Sequence, residues 1–514
     1  MTRTTRTGRL AFAVAATAFA IATIWPFRSH YLISWDAANF AFALDRIDIA
    51  AHRPHPPGYL GYVFAGRALR WIFTDANAAL TAWNVAVRSA AAVLVGMFAF
   101  SASRGSMRAA VAAAAILLTS PLLWFYASNA EIYPSEMAFA LATVFAASAS
   151  LRGDRAAVVA TALVLAITAL FKISAMVLLL PLGLYTWWHW RPDDRKRAAW
   201  LFAAVFGAIA LLFFVLQPNV LQLLWGQFAG ATAPSRLGGT ATNYGRTLNR
   251  NVRDTVVNLA AALGVVNSLA FLFWLIAVRR LPPAVDRRQL SLWAGPWFVL
   301  LIFVHIGNPG YVLPLLPVFC LVLGVWYSQL SPATFAAVAI LQAIVNLGQI
   351  AFFAPPVAGG EVKYGDKSFV QRVASDLQPL TFPTLATVRR SDVAVDRLLE
   401  LAASCRSGPW VIVSSGDPVD WRRASYYLPE ATSIRLTIEG VPESVSQNGG
   451  VRPATDAGEA LNSQCGLIWL TTQTQDADVK GLPAGGVYEY GVGWVFPAGA
   501  GSTSTSGVKW IATD

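Results

Sequence analysis

The sequence has few charged residues. Only 13% of its 514 residues are Asp, Glu, Lys or Arg, whereas 56% are hydrophobic. Soluble globular proteins carry about 25% charged residues, so a single soluble enzyme is excluded. The low charge excludes a disordered chain, and three cysteines exclude a disulfide-rich scaffold. The sequence also lacks Cys/His spacing typical of zinc sites. No GxGxxG or GxxxxGK[ST] loop stands between a strand and a helix, so a nucleotide-sugar donor has no support.

The charges that are present are unevenly distributed. Residues 1–354 have a formal charge of +15, whereas residues 355–514 have a charge of −4. The mean hydropathy of the whole chain is +0.50. These values predict a mainly α-helical polytopic membrane domain over residues 1–354 and a water-soluble domain over residues 355–514.

The hydrophobic runs of the first domain predict transmembrane helices. A spanning helix needs about 20 mostly apolar residues, because it rises about 1.5 Å per residue across about 30 Å of hydrocarbon. Eleven stretches are suitable: 10–27, 77–102, 109–127, 133–151, 156–171, 173–190, 198–216, 256–278, 290–306, 311–329 and 333–354. The fifth and sixth of them are short and are joined tightly around Lys172.

Lys and Arg in the short loops predict the orientation in the membrane. With the N-terminus inside, five inner segments hold 15 Lys and Arg in 37 residues, whereas the outer loops 28–76 and 217–255 hold 9 in 88. This is the positive-inside pattern. It predicts a multi-pass protein of a bacterial-type inner (plasma) membrane, with the first span an uncleaved anchor and residues 355–514 outside. The basic charge is thereby explained by topology and does not indicate a nucleic-acid partner.

The residues after 355 have an α/β pattern. An amphipathic stretch at 393–403 precedes short apolar runs, separated by Gly, Pro and Ser, at 409–415, 433–438, 465–472 and 487–496. Cys405 and Cys465 each lie at the start of a predicted strand. On the oxidising side of the membrane they can form a disulfide or remain free thiols, and the sequence does not choose between these states.

The first outer loop has a structure of its own. Residues 36–50 and 58–73 have amphipathic patterns, and the segment HRPHPPGY (52–59) between them is rich in proline, which forbids helix. The pattern predicts two interfacial helices joined by a proline elbow, forming a lid on the membrane surface.

The acidic residues of the first domain indicate which side is active. Four lie in basic inner loops, where solvated ion pairs explain them, and seven lie on the outer side: Asp36, Asp45, Asp48, Asp75, Glu131, Glu136 and Asp254. None lies in the middle of a span, where ion-coupled transporters usually place ionisable groups. The distribution indicates an outward-facing site.

These residues resemble a known superfamily. The Trp-Asp pair at 35–36, outside the first span and followed by two juxtamembrane helices, resembles the GT-C integral membrane glycosyltransferases. HPPGY (55–59) and NAEIYPSEM (129–137) are similar to motifs of the protein O-mannosyltransferase-related branch, and HIGNPGYVLPLLP (305–317) is similar to a late-span motif. The resemblance implies a polyprenyl-phosphate sugar donor used on the extracytoplasmic face. Gly310 departs from the motif, because an Arg often precedes the Tyr there.

Two outer acids are the candidate catalytic residues. Displacing a polyprenyl phosphate requires a base that deprotonates the acceptor hydroxyl, and Asp36 lies at the membrane edge where a lipid-borne donor is accessible. The alternative is that Asp36 caps the helix after it, since Asp is a favoured N-cap. Glu131 is expected to orient the acceptor, to hold a partner of Asp36, or to bind a divalent cation together with Asp36. Its alternative is a role at a helix N-terminus.

Cations on the same face are candidates for holding the leaving phosphate. They are Lys172, Arg246, Arg250 and His305. The alternative for Lys172 is snorkelling, and the alternative for the two arginines is contact with lipid headgroups. The alternative for His305 is a structural role at a helix end. His55, Tyr59 and Tyr311 are candidate lid or substrate residues, and the first two are expected mainly to shape the elbow.

The sequence thus predicts an inverting, mannosyltransferase-like enzyme of the cell envelope. It would transfer a monosaccharide from a polyprenyl-phosphate carrier to a hydroxyl of a protein, glycolipid or polysaccharide. A divalent cation is the one cofactor considered. A lipid-linked-sugar flippase and a non-catalytic scaffold or sensor are the competing interpretations.

Overall fold

A computed structural model describes residues 6–216, 225, 241–278, 286–304, 308–353, 383–405, 408, 410–414, 418–436, 442–445, 451–453, 465–470, 487–489 and 493–496. The chain divides into two compact units. The first comprises residues 1–28, 56–354 and 376–385, and the second comprises residues 29–55, 355–375 and 386–514. The predicted boundary after residue 354 placed both lid helices in the first domain, whereas the compact units assign residues 29–55 to the second unit.

The first unit is helical. Its helices are α1 (Arg6–Ile24), α3 (Leu60–Leu69), α4 (Ala76–Ala102), α5 (Met107–Leu118), α6 (Pro121–Ala127), α7 (Tyr133–Leu151), α8 (Arg155–Phe171), α9 (Ile173–His189), α10 (Pro192–Leu216), α11 (Ala241–Phe273), α12 (Arg287–Phe303), α13 (Leu316–Tyr327) and α14 (Pro332–Phe352), with short 3₁₀ turns at Trp25–Phe27 and Pro309–Leu315 and a π turn at Trp274–Val278. Within the described residues, each of the eleven predicted stretches overlaps one or two of these helices.

The long apolar helices make the chain a multi-pass membrane protein. Within the described residues, seven helices are long and apolar enough to cross a membrane, or eight if α5 and α6 together form one span. Helices α8 and α9 are apolar but shorter. The polytopic helical fold class is therefore confirmed, and the total of eleven crossings remains a prediction.

The third predicted span is not one straight helix. Helices α5 and α6 meet at a bend of 62°. The bend follows from the sequence, because Pro121 begins α6 and Ser120 caps it, its Oγ accepting a hydrogen bond from the Leu123 N–H at 3.2 Å. Proline lacks the N–H that would continue α5.

Small residues allow close helix packing in the first unit. A Cβ atom at Gly324 of α13 would lie 2.8 Å from the Cβ of Ala113 on α5, and one at Gly96 of α4 would lie 2.3 Å from the Phe12 ring. Contacts of this kind are typical of membrane helices, which associate through close backbone approach.

The second unit contains an α/β domain, as predicted. Helix α15 (Leu385–Ala403) precedes β1 (Val411–Ser414), and α16 (Trp421–Tyr427) precedes β2 (Thr432–Leu436). The further strands are β3 (Pro442–Val445), β4 (Val451–Pro453), β5 (Leu467–Leu470), β6 (Val487–Glu489) and β7 (Gly493–Phe496). The sheet order is β4-β3-β2-β1-β5-β7-β6. Strand β1 runs parallel to both of its neighbours, and the outer pairs are antiparallel.

The sheet differs from the predicted strands in two respects. The run at 487–496, predicted as one strand, contains the antiparallel pair β6 and β7, and β3 and β4 were not predicted at all. Cys405 and Cys465 form a disulfide with their Cα atoms 5.6 Å apart, so the structure decides between the two states that the sequence left open.

Residues 29–34 dock on the α/β domain within the second unit. The Asp392 carboxylate accepts hydrogen bonds from the backbone N–H groups of His30 and Tyr31 at 2.9 and 3.1 Å. The backbone of Leu32 donates its N–H to the Tyr427 hydroxyl and accepts a hydrogen bond from Arg423 Nε. These contacts hold the segment that leads into α2 (Trp35–Asp45) on the domain.

Candidate active site

Asp36 lies in the first turn of α2 and does not cap it. The cap is Ser34, whose Oγ accepts a hydrogen bond from the Ala37 N–H at 3.0 Å. The capping alternative for Asp36 is therefore wrong. Asp36 Oδ1 instead lies 3.4 Å from His55 Nδ1, and the Asp36 side chain remains 27% exposed. A half-exposed carboxylate next to an imidazole is accessible to a substrate hydroxyl.

Aromatic rings and a second histidine surround His55. Its ring centroid lies 5.5 Å from that of Phe40 and 6.0 Å from that of Trp35. The His52 ring lies on Trp35, at 5.3 Å. Burial, reinforced by the positive charges of His55 and Arg422, lowers the pKa of His52, and Asp36 opposes this shift. His52 is therefore neutral at pH 7.

The elbow begins earlier than predicted. Helix α2 ends at Asp45 and not at residue 50, and α3 starts at Leu60. Between them the backbones of Asp48 and Arg53 exchange two hydrogen bonds at 2.6 and 2.8 Å, and Asp48 Oδ1 accepts one from the Ala51 N–H. This closed turn replaces the last turn of the expected helix.

Arg422 of α16 joins α2 to the elbow. Its side chain is fully buried. The guanidinium donates from Nε to Asn39 Oδ1 on α2 at 2.7 Å, and from Nη2 to the carbonyls of Ala51 and His52 at 3.0 and 3.4 Å. It also lies over the Phe42 ring at 4.5 Å. Burial lowers the pKa of Arg422 to about 10, so it stays charged at pH 7. One cation thus holds both segments that carry Asp36 and His55.

Glu131 lies in a buried polar cluster of the first unit. It is in the tight link between α6 and α7. Asn84 Nδ2 on α4 donates to the Glu131 carbonyl at 2.8 Å, to the Asn129 carbonyl at 2.7 Å and to the Tyr62 hydroxyl at 3.1 Å. Burial, reinforced by the Glu131 charge, holds the pKa of Tyr62 well above its ordinary value, so this hydroxyl is protonated. Lid helix α3 therefore supplies a neutral hydroxyl close to Glu131.

Lys172 does not snorkel. Only 3% of its side chain is exposed, and Nζ lies 2.5 Å from Glu136 Oε2 on α7. Nζ also lies 3.9 Å from the centroid of the Tyr311 ring and 5.0 Å from that of the Tyr133 ring. The snorkelling alternative is contradicted, because the ammonium is enclosed by a carboxylate and two aromatic faces.

The ring of Tyr133 leaves room only for glycine at position 310. A Cβ atom at Gly310 would lie 2.5 Å from Tyr133 Cγ, closer than real Cβ atoms approach. Asn308 starts this turn, its Oδ1 accepting hydrogen bonds from the Gly310 N–H at 2.9 Å and from the Tyr126 hydroxyl. The position where the motif often has Arg is therefore closed to any side chain while Tyr133 stays in place.

The structure gives fewer contacts for the other candidate cations. Arg250 is exposed on α11, and the backbone of Arg246 lies on the same helix. The outer loop predicted over 217–255 is wrong from residue 241 onward, because α11 begins at Ala241. His305 lies outside the described residues. Tyr59 is buried at the N-cap of α3 with a left-handed backbone, consistent with the predicted shaping role.

In the described parts of the chain, no group of three or more His, Cys, Asp or Glu side chains is placed so that it could hold a metal ion. Asp36 belongs to the second compact unit and Glu131 to the first.

Sequence reasoning missed three residues of these clusters. Glu136 was recognised only as one of the outer acids, although its spacing after Tyr133 places both side chains near Lys172. Asn84 and Arg422 gave no signal, because a lone Asn in a span and an Arg in a solvated domain are both ordinary.

Two solved structures resemble this chain. The crystal structure of ArnT from Cupriavidus metallidurans bound to undecaprenyl phosphate aligns with a TM-score of 0.55 and 15% identity, over 82% of this chain and 85% of that chain. ArnT is a GT-C glycosyltransferase. This chain has the GT-C fold. The apo state of the same protein aligns with a TM-score of 0.52 and 16% identity over the same shares of the two chains. No protein-family model and no curated protein matches the sequence.

The comparison confirms the predicted GT-C-like fold. It gives no support to the O-mannosyltransferase-related branch, because both similar structures are of ArnT. At this level of identity the likeness concerns the fold alone.

Proposed function

We propose that this chain is an integral membrane glycosyltransferase that transfers a monosaccharide from a polyprenyl-phosphate carrier to an acceptor hydroxyl, with inversion. The observation that carries the proposal is the shared fold, which extends over 82% of the chain and belongs to a protein solved with undecaprenyl phosphate bound. The outward bias of the acidic residues and the Asp36–His55 pair support it.

Asp36 is the proposed base. The acceptor oxygen would form the new bond to the anomeric carbon while the bond from that carbon to the phosphate oxygen breaks, and the phosphate would leave with the electron pair. The acceptor proton would pass to the Asp36 carboxylate. Because His55 Nδ1 lies beside Asp36 Oδ1, the imidazole is suited to orient the carboxylate and to share the proton.

Lys172 is the proposed main contact of the leaving phosphate in the first unit. Its ammonium carries a full positive charge and donates hydrogen bonds, which is the type of group that binds a phosphate oxygen. Glu136 balances the Lys172 charge while no phosphate is present, which keeps a buried cation tolerable. Arg246, Arg250 and His305 remain proposed additional contacts.

The proposed setting is a bacterial-type inner membrane with the second unit on the extracytoplasmic side. The Cys405–Cys465 disulfide supports this orientation, because disulfides persist in oxidising compartments. The acceptor would be a protein, a glycolipid or an envelope polysaccharide. A mannose donor, as in the O-mannosyltransferase-related branch, and a divalent cation held with the help of Asp36 or Glu131 remain finer proposals.

The test is transfer in liposomes with labelled polyprenyl-phosphate sugars and a membrane extract as acceptor. The matched pair of variants is Asp36→Asn and Asp45→Asn, which make the same chemical change at the two ends of α2. We expect wild type and Asp45→Asn to transfer sugar or slowly hydrolyse the donor, and Asp36→Asn to lose at least 100-fold in rate, about the contribution of a positioned base. Activity that survives added chelator would remove the divalent cation from the proposal.

The same assay separates the competing functions. Equal activity of wild type and Asp36→Asn would remove Asp36 from the mechanism. No turnover of any donor, with labelled lipid appearing in the opposite leaflet, would indicate a flippase. No turnover and no lipid movement, with Asp36→Asn functional in cells, would indicate a scaffold or sensor.

A further inference from the structure

A cleft lies where α9 ends and α10 begins. It has a volume of about 500 Å³ and is lined by Trp187, Pro192, Arg195, Lys196, Ala199, Trp200 and Ala203. Its walls are almost entirely apolar, and Arg195 and Lys196 are the basic residues that contribute to its lining. None of these residues belongs to the clusters around Asp36 or Lys172.

The cleft crosses the surface of the bilayer. Helix α10 is long and apolar enough to span the membrane, and its side chains Leu211 and Val215 are 64% and 70% exposed in the isolated chain, as expected for a lipid-facing helix. All of its Lys and Arg lie within residues 195–197, and the apolar part follows directly. Since a helix rises about 1.5 Å per residue, Ala203 lies about 10 Å deeper than Lys196. From the charge pattern of α10, Lys196 is expected at headgroup level and Ala203 at the level of the acyl chains.

The cleft is held in shape by hydrogen bonds. Trp187 Nε1 donates to the Arg195 carbonyl at 3.2 Å, and Arg195 Nε donates to the Trp190 carbonyl at 2.7 Å. Trp190 packs on Val158 and Ala198 beneath the turn, and its Nε1 donates to Ser150 Oγ at 3.0 Å. The Trp187 wall is therefore part of a fixed turn, whereas the Trp200 side chain is 78% exposed.

We propose that this cleft binds one anionic glycerophospholipid. The phosphodiester would lie against Lys196, since the Arg195 guanidinium donates to the carbonyls of Trp190 and Trp188 and adds its positive charge from within the turn. The glycerol and upper acyl chains would lie along Trp200 and Ala203. Residues 191–197 have a net charge of +2 even with Asp193 and Asp194 included. Basic pockets between membrane helices are typical sites for anionic headgroups, and tryptophan is typical of the interface. The proposal is independent of the glycosyltransferase reaction.

The test measures lipid retention by native mass spectrometry of the full-length protein in detergent. The variants are Lys196→Gln and Trp200→Ala, both at exposed positions where truncation leaves the core intact, and the control is Arg197→Gln, which removes the same charge one residue outside the cleft. We expect wild type to retain one phosphatidylglycerol. Lys196→Gln should lower its affinity about 5-fold and Trp200→Ala about 3-fold, and Arg197→Gln should change it less than about 2-fold.

Two further arms identify the ligand. Phosphatidylcholine with the same acyl chains should be retained more weakly, and millimolar inorganic phosphate should not displace phosphatidylglycerol. An equal loss in Arg197→Gln would mean that surface charge alone attracts lipid, and displacement by inorganic phosphate would mean that the site holds a free anion. Either result would overturn the proposal.

Discussion

Replacing Arg422 by Gln should release the elbow that carries His55. In the structure, Arg422 donates to Asn39 on α2 and to the carbonyls of Ala51 and His52. Hydrogen bonds from a charged donor contribute about 1.5–3 kcal/mol each, and acceptors left buried without a donor add a penalty. With the 3.4 Å contact counted as weak, we expect a local loss of about 3–5 kcal/mol, a large part of the 5–15 kcal/mol that typically stabilises a domain.

Arg423 provides the matched control. It is also buried, and its side chain donates to Leu32, Ser391 and Pro418, which lie outside α2 and the elbow. Arg423→Gln should therefore cost a similar amount of stability while leaving residues 35–55 as they are.

Hydrogen exchange measured by mass spectrometry distinguishes the two variants without requiring activity. A loss of 3 kcal/mol corresponds to about 100-fold faster exchange through local opening. We expect this acceleration in peptides covering residues 35–55 for Arg422→Gln, and in peptides covering residues 29–34 for Arg423→Gln. Unchanged exchange over 35–55 in Arg422→Gln, or the same acceleration there in Arg423→Gln, would refute the argument. If the proposed reaction is correct, Arg422→Gln should also lower kcat more than it changes KM, because the base is misplaced and donor binding is not.

Three further predictions concern other contacts. Lys172→Gln should destabilise the protein by about 3–5 kcal/mol, and adding Glu136→Gln should recover part of that loss in thermal unfolding, because a lone buried charge costs more than a missing pair. A double variant that is less stable than Lys172→Gln would contradict the pairing. Cys405→Ser should lower the stability of the second unit by about 4 kcal/mol, because the disulfide closes a loop of 60 residues. If the lost disulfide is the cause, wild type under reducing conditions and Cys405→Ser should have the same unfolding midpoint. The lowered pKa of His52 means that the folded unit binds fewer protons than the unfolded chain, so stability should fall as the pH drops below about 6.5, and His52→Gln should flatten that dependence between pH 7.5 and 5.5.

The sequence predicted what local patterns determine. Apolar run length located the helices, the Trp-Asp pair located the Asp36 segment, and the lysine inside the apolar runs singled out Lys172, because each of these signals is contained within about 20 consecutive residues. The bend at Pro121 was missed because the apolar run continues through it, although the Ser-Pro dipeptide was a usable signal. The early end of α2 was missed because the Asp48–Arg53 backbone pairing replaces helical bonds without changing the amphipathic pattern.

Contacts over long sequence separations could not be predicted. Arg422 lies 383 residues after Asn39, and no periodicity relates the two positions. The same is true of Glu136 and Lys172, which are 36 residues apart on different helices. Each residue taken alone has an ordinary explanation, as a solvated arginine, an outer acid or a snorkelling lysine, and only the fold shows that they are buried.

The packing of Gly310 bears on the proposal that Lys172 contacts the phosphate in this chain. Where the related motif often places an Arg before the tyrosine, the Tyr133 ring fills the space that its side chain would need. Tyr133 and Tyr311 pack edge to face at 5.4 Å, and the Lys172 ammonium lies over both rings. The motif therefore keeps its tyrosine but has no cation at position 310, and the Lys172 ammonium at the α8–α9 junction lies 3.9 Å from the centroid of the Tyr311 ring. Two aromatic faces and Glu136 fix that ammonium in place. A lysine contact usually costs the entropy of ordering a flexible side chain, and that cost would be small here because the side chain is already ordered.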